Sequence, residues 1–274
     1  MSLATRLKSL GRDFRFSRGF APRDTAEGSA YLRWAVRHQL PASTRLKMPW
    51  GELDCTNLGI ARSQFEEIFV RRYYAFRPAS ATPTIVDCGG NIGLSAIWFK
   101  QNYPDCDLTV YEADTALTEI LRTNLARAGY SAVRVLQQAV WIENTELTFA
   151  STGLDTGKIA SDGGAKVTAI DLAAALPARV DLLKMDIEGA EFDVLAHLLD
   201  TGAMAKIQNL AVELHPSHAT FPKMIALLQR MERAGFLTSF ESFVGPYCGL
   251  EATSSPFDLV GRNRVFVQAY FWRK

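Results

Sequence analysis

From Thr84 onward, short apolar runs alternate with longer stretches of helical periodicity, the pattern of a doubly wound α/β sheet with mostly parallel strands. Strands are expected at 84–88, 108–112, 133–137, 180–185 and 209–214, with helices at about 93–102, 115–128, 189–199 and 221–234. Gly129 and Gly235 fall where helix C-termini need a left-handed residue. Val140–Ile142 and Glu146–Phe149 read as a short β excursion, and Val265–Phe271 as a last strand. Ser151–Ala165 is polar and glycine-rich, which suits either a lid at the ligand edge or a plain surface loop.

Ahead of the sheet the period is helical. Ala30–Gln39 predicts one helix, stopped by Pro41. Ser63–Phe76 predicts another, with Ser63 as N-cap, Glu66 as its capping-box partner and Pro78 as terminator. Phe65, Ile68, Phe69 and Tyr73 form a stripe suited to packing on the sheet. Residues 1–80 are thus expected as a basic arm with a helical cap, and 81–274 as the main domain.

One strand end carries more chemistry than the rest. Thr84-Ile85-Val86-Asp87-Cys88-Gly89-Gly90-Asn91-Ile92-Gly93 runs an apolar strand into a glycine-rich turn and then a helix, as a nucleotide-type cofactor site begins. A dinucleotide fingerprint starting at Gly89 would need glycine at 91 and 94, where Asn91 and Leu94 stand, so NAD is the weaker reading. The spacing Asp87-x-Gly89-x-x-x-Gly93 instead resembles motif I of class I S-adenosylmethionine (SAM) methyltransferases. Nineteen positions after Gly93, Glu112 ends the next strand, near the interval at which such sites place a ribose-binding acid. Asp87, Gly89, Gly90, Asn91, Gly93 and Glu112 are the candidate cofactor residues.

Gly-Gly-Asn-Ile-Gly at 89–93, Tyr-Glu-Ala-Asp at 111–114, Lys-Met-Asp-Ile-Glu-Gly-Ala-Glu at 184–191 and Glu-Leu-His at 213–215 together resemble the FkbM family of SAM-dependent methyltransferases, over roughly Thr84 to Pro216. The resemblance implies a Rossmann-like, mostly parallel seven-stranded sheet with an antiparallel last strand and an N-terminal helical extension. It also implies methyl transfer from SAM, usually to a hydroxyl of a sugar, polyketide or other small-molecule or glycan acceptor. Two other readings stay open: a SAM- or nucleotide-binding domain without transfer activity, and a nucleic-acid methyltransferase. Against the second, Asp-Ile-Glu-Gly stands after the fourth strand where amino-methylating enzymes carry (D/N)PP(Y/F/W).

Open α/β sheets bind ligands beyond the carboxyl ends of their strands, so Asp186, Glu188, Glu213 and His215 should converge with Asp87 and Glu112 on one crevice. An alcohol must lose its proton before it is a good nucleophile. His215 is the leading candidate base and Glu188 the alternative, with Asp186 beside them. Asp186, Glu188 and Glu213, with His215, would suit Mg²⁺ or Mn²⁺ if they met, although no spacing demands a metal. His38, His197 and His218 are expected at the surface or in helix packing.

The 274 residues, 48% hydrophobic and 22% charged, suffice for one large domain with an extension. Cys55, Cys88, Cys106 and Cys248 form no CxxC pair, which argues against a disulfide framework or zinc and fits a reducing cytoplasm. No apolar run has the length of a membrane span, and the N-terminus lacks the apolar core of a signal peptide. The first fifty residues hold ten Lys and Arg against three Asp and Glu, while the whole chain is nearly balanced at 30 against 29. This basic arm suits packing on the chain's own domain or on a partner subunit, or peripheral contact with an anionic membrane. Oligomeric state is not encoded in any of these patterns.

Overall fold

The computed structural model describes residues 26, 28–32, 45–150, 158–159, 164–217, 219–243 and 266–273. The basic arm, His38, His218 and Cys248 lie outside these residues, as does most of the predicted 30–39 helix, whose described part, 30–32, is helical.

A hairpin of β1 (Leu46–Met48) and β2 (Gly51–Leu53) leads into helix α1 (Leu58–Phe65), which widens into a π-helical turn over Glu66–Val70. The helix begins five residues before the first predicted helical position. Asn57 is its N-cap, accepting from the Gly59 and Ile60 amides, and so pre-empts Ser63. Ser63 instead donates to Glu67. The helix also stops short of Phe76, because Arg72 turns left-handed at φ +64°. The predicted stripe does pack as expected: Phe65, Ile68, Phe69 and Tyr73 are buried in one core with Ile85, Leu182 and Ala211 of the sheet. Trp50 of the hairpin turn stacks on Phe69 at 4.9 Å.

The central sheet is built from β3 (Thr84–Cys88), β4 (Asp107–Glu112), β5 (Arg134–Gln137), β10 (Val180–Met185), β11 (Ile207–Leu214), β12 (Leu237–Phe243) and β13 (Phe266–Trp272). Its order is β12-β13-β11-β10-β3-β4-β5. The five strands from β11 to β5 are parallel, and β13 runs antiparallel to both neighbours. This is the expected seven-stranded, mostly parallel Rossmann-like sheet with a reversed strand formed near the C-terminus. Ile85, Val86, Leu182, Leu183, Leu210 and Val212 are buried, as central parallel strands covered on both faces require.

Four crossover helices follow the prediction closely: α2 (Leu94–Asn102), α3 (Thr115–Arg127), α5 (Glu191–Asp200) and α6 (Phe221–Arg233), with the single turn α4 (Leu172–Ala175) between α3 and α5. Gly129 and Gly235 close α3 and α6 at φ +83° and +84°. In each case the amide after the glycine returns to the last helical turn, Tyr130 to Leu125 and Phe236 to Met231. The β excursion is larger than its sequence indicates. Strands β6 (Ala139–Trp141), β7 (Thr145–Ala150), β8 (Lys158–Ile159) and β9 (Ala165–Asp171) form a second sheet in the order β6-β9-β7-β8. Part of the predicted 151–165 loop is therefore strand, paired through Phe149–Ile159 and Ala150–Lys158; 151–157 and 160–163 are outside the described residues.

Candidate active site

The strand ends bring two groups of polar residues together. The first surrounds the glycine turn. Gly89 and Gly90 both donate backbone N–H to the Tyr111 carbonyl, at 2.9 and 3.0 Å, which clamps the turn to β4. Gly89, Asn91 and Gly93 take φ of +88°, +47° and +93°. Asn91 holds its left-handed conformation with its own side chain, whose Oδ1 accepts from the Ile92 amide at 2.7 Å. A β-carbon on Gly89 would lie 1.8 Å from the Asp186 carbonyl oxygen, and one on Gly90 would lie 2.4 Å from Val110 and 2.6 Å from Leu121. Both glycines are thus demanded by the protein's own packing.

Asp87 is fully buried. It accepts from Ser95 Oγ at 2.5 Å and pairs with Lys184 Nζ at 3.2 Å, and Lys184 also donates to the Gly89 carbonyl. Strand register dictates the meeting, because Lys184 lies directly opposite Asp87 across β10 and β3. Burial pulls the Lys184 ammonium down, and the adjacent Asp87 and Asp186 charges more than offset it. Asp87 therefore braces the turn from beneath.

Glu112 faces the turn from the end of β4. Its two carboxylate oxygens accept from the amides of Asn91, at 2.7 Å, and Asp114, at 2.9 Å. Burial pushes this carboxyl up to about 7, although both amides pull it back. Asn124, buried in α3, ties the turn to the N-terminal hairpin: its Nδ2 donates to the Ile92 and Asp54 carbonyls, while its Oδ1 accepts from the Asp54 amide.

The second group lies beyond β10 and β11. His215 Nε2 is 3.9 Å from Asp186, 3.8 Å from Glu188 and 3.7 Å from Glu213, and Nδ1 is 2.9 Å from Glu191. Glu191, fully buried at the start of α5, also accepts from the Ile187 and Gly189 amides. That bridge holds the tight turn in which Glu188 is left-handed at φ +57°. Burial would lower the His215 pKa, but the Glu191 hydrogen bond and charge, then Asp186 and Glu188, outweigh it and push it up to about 10. Glu213 is raised as well: burial and the Asp186 carboxylate hold it well above the usual carboxylate range.

These values revise the expected roles. A histidine at about 10 is an imidazolium near neutral pH, so His215 does not begin as a proton acceptor. Of the four groups named for a divalent cation, Asp186, Glu188 and His215 offer ligand atoms within 4.8 Å of one another, and Glu213 is not part of that set. No sequence signal assigned a role to Asn124, Ser95 or Lys184. Glu191 had one signal, an acid in the first turn of a helix just after a glycine. His197 is half-buried on α5, its Nε2 2.9 Å from Asp171.

Residues 87–238, more than half of the chain, match the Methyltransferase FkbM domain. The chain belongs to the FkbM methyltransferase family. It is 28% identical over 205 residues to Methyltransferase 1 of Beauveria bassiana, covering 64% of this chain and 81% of that protein. It is 26% identical over 205 residues to Methyltransferase sdnD of Sordaria araneosa, covering 60% and 79%. A solved FkbM methyltransferase from Methylobacillus flagellatus is 14% identical, covering 89% of this chain and 60% of that one, with a TM-score of 0.47. The FkbM chain described here is accordingly a SAM-dependent methyltransferase. No helix among its described residues is long and apolar enough to cross a membrane.

Proposed function

We propose that this FkbM methyltransferase methylates a hydroxyl oxygen of a small-molecule or glycan acceptor, in a domain spanning residues 81–274 capped by residues 1–80. The observation that carries the reading is the acidic wall of Asp186 and Glu188, with the raised Glu213 carboxyl beside them, around His215 and next to the cofactor turn. Carboxylates accept hydrogen bonds from hydroxyls and can take their protons, and the imidazolium of His215 offsets the charge of the wall.

On the cofactor side the residues fit SAM. Glu112 spends one lone pair of each oxygen on backbone amides and keeps others for the two ribose hydroxyls. Gly89, Gly90, Asn91 and Gly93 set the shape of the turn beside it, and Asp87 with Lys184 holds that turn rigid. SAM supplies an electrophilic methyl group. The chain orients the acceptor, excludes water and receives the hydroxyl proton.

The reading assigns no metal; a divalent cation held by Asp186, Glu188 and His215 would need the imidazole deprotonated. The test is product analysis with methyl-labelled SAM and a small-molecule extract, with and without EDTA. An ether methyl formed at an undiminished rate after chelation is the expected result. A methyl on nitrogen or carbon would overturn the acceptor chemistry, and EDTA inhibition reversed by Mg²⁺ would turn the wall into a metal site.

A further inference from the structure

We propose that Gln268, on β13, is a specificity-determining residue that binds the acceptor through its side-chain amide and selects one that carries a vicinal diol. The inference rests on the hydroxyl-methylation reading above. Gln268 lies outside the family-matched residues 87–238.

Strand register places the residue in the site. β13 runs antiparallel to β11, so its first residues lie at the carboxyl end of β11, the edge at which an α/β sheet binds its ligands. There Gln268 stands directly opposite Glu213 on one side and Glu241 of β12 on the other. Directly opposed residues project from the same face, with their β-carbons about 4.5–5.5 Å apart. That face is the one covered by the N-terminal segment. Ala211 and Tyr270, the next residues on the same face of β11 and β13, pack with Phe65 and Phe69, whereas Val212, Leu214, Ala269 and Phe271 join the opposite core with α5 and α6. Glu213 Oε1 is itself 3.7 Å from His215 Nε2, so Gln268 extends the acidic wall by one strand.

The amide of Gln268 lacks what a buried amide normally has. The residue is 3% exposed, and among the described residues neither its Oε1 nor its Nε2 has a hydrogen-bond partner. Burial strips such a group of water, and native structures compensate with a bonded partner. The cofactor is too distant to be that partner. Neighbouring strands lie about 4.8 Å apart, so β13, three strands from β3, is about 14 Å from the glycine turn, and Glu112 on β4 is further still. The missing partner is on the acceptor side.

A primary amide presents an acceptor and a donor side by side. Two hydroxyls on adjacent carbons meet both at once, one donating to Oε1 and the other accepting from Nε2. Glu213 and Glu241 continue the row on either side with carboxyl oxygens that accept from further hydroxyls. An acceptor with a single hydroxyl on an apolar skeleton would leave half of the amide unmet, and a site built to hydrogen-bond its substrate rejects a ligand without the matching group.

The test uses Gln268→Met, which keeps the shape and removes the amide, and Gln268→Asn, which keeps the amide and withdraws it by one methylene. Without ligand, Gln268→Met should melt at or above the wild-type temperature, because no partner is stranded. A marked fall would mean that the amide is satisfied within the fold, and it overturns the proposal. In protein saturated with S-adenosylhomocysteine, binding of methyl α-D-glucoside, methyl α-D-mannoside and methyl α-L-rhamnoside is followed by saturation-transfer NMR. Tetrahydropyran-2-methanol, which has the ring but a single hydroxyl, is the control. At least one glycoside should bind where the control does not. Gln268→Met should weaken that binding roughly tenfold or more, the scale of one or two hydrogen bonds, with S-adenosylhomocysteine affinity unchanged. Gln268→Asn should weaken it less, again with the cofactor unaffected. Glycoside binding that is absent in wild type, matched by the control or undiminished in Gln268→Met overturns the proposal; the last result is what a buried water on the amide would give. Glycoside binding needs no methyl transfer, so the position of the methyl group in the wild-type product tests hydroxyl methylation separately.

Discussion

Glu191 holds His215 through a 2.9 Å contact to Nδ1 while its carboxylate also accepts from two amides of the turn that carries Glu188. One buried acid therefore fixes both the charge of the histidine and the shape of the acidic loop. The folded pKa of His215, about 10, lies above the unfolded value near 6.5. The stabilisation from this pair is fully present below pH 6.5 and is lost as the pH rises through 10. The melting temperature of His215→Gln should fall well below wild type at pH 6, and the gap should narrow towards pH 10. A constant gap over that range would mean the imidazole is neutral in the folded protein.

Lys184 and Asp87 should behave as a buried pair whose halves are worth little apart. Lys184→Met leaves Asp87 buried with only Ser95 beside it, and removes the donor to the Gly89 carbonyl. Breaking such a pair from one side costs about 3–5 kcal/mol, measurable by urea denaturation. The double variant Asp87→Asn/Lys184→Met should recover part of that loss. If Lys184→Met alone unfolds like wild type, the pair does not brace the turn.

Gly89 and Gly90 separate two explanations for a glycine-rich turn. If they served ligand access alone, alanine would weaken cofactor binding and leave the fold intact. The observed packing predicts a folding defect instead. Gly90→Ala, meeting Val110 and Leu121 side chains that can shift, should cost about 1–3 kcal/mol. Gly89→Ala meets a backbone carbonyl at a left-handed φ and should be the more damaging of the two. Thermal melts of both variants without ligand decide it, and wild-type melting for Gly89→Ala would contradict the turn as described.

The legible parts of this chain were those where burial imposes a pattern. β3, β10 and β11 are buried on both faces and read as apolar runs, and Gly129 and Gly235 announced their helix ends because left-handed backbone favours glycine. β12 was missed. Residues 237–241 of it are all exposed, the large apolar Leu237 and Phe240 included, so no alternation of buried and exposed positions marks it. The Ser63 capping box was present in sequence but lost to Asn57, whose side chain satisfies the helix amides first. In the site, positions were legible and protonation was not. His215 and Glu188 were found by their strand ends, but the charge of His215 is set by Glu191, 24 residues earlier, through contacts that only the fold creates.

Glu112 offers a test of the cofactor site that needs no acceptor. Its carboxyl sits at about 7, above the unfolded value near 4.5, because burial penalises the charge. A raised carboxyl contributes stability below pH 4.5 that is lost as the pH rises through 7, so the ligand-free protein should soften slightly over that interval. Ribose hydroxyls donating to Glu112 favour the carboxylate, so cofactor binding should lower its pKa and release protons. Calorimetry with S-adenosylhomocysteine should therefore show affinity rising from pH 6 to pH 8 and then levelling, with proton release greatest near pH 7. Glu112→Gln should remove the pH dependence, and Glu112→Ala should weaken binding by about 1–3 kcal/mol, the range for hydrogen bonds to a charged group. A Glu112→Ala protein that binds S-adenosylhomocysteine as tightly as wild type, with the pH dependence intact, would remove Glu112 from the ribose site.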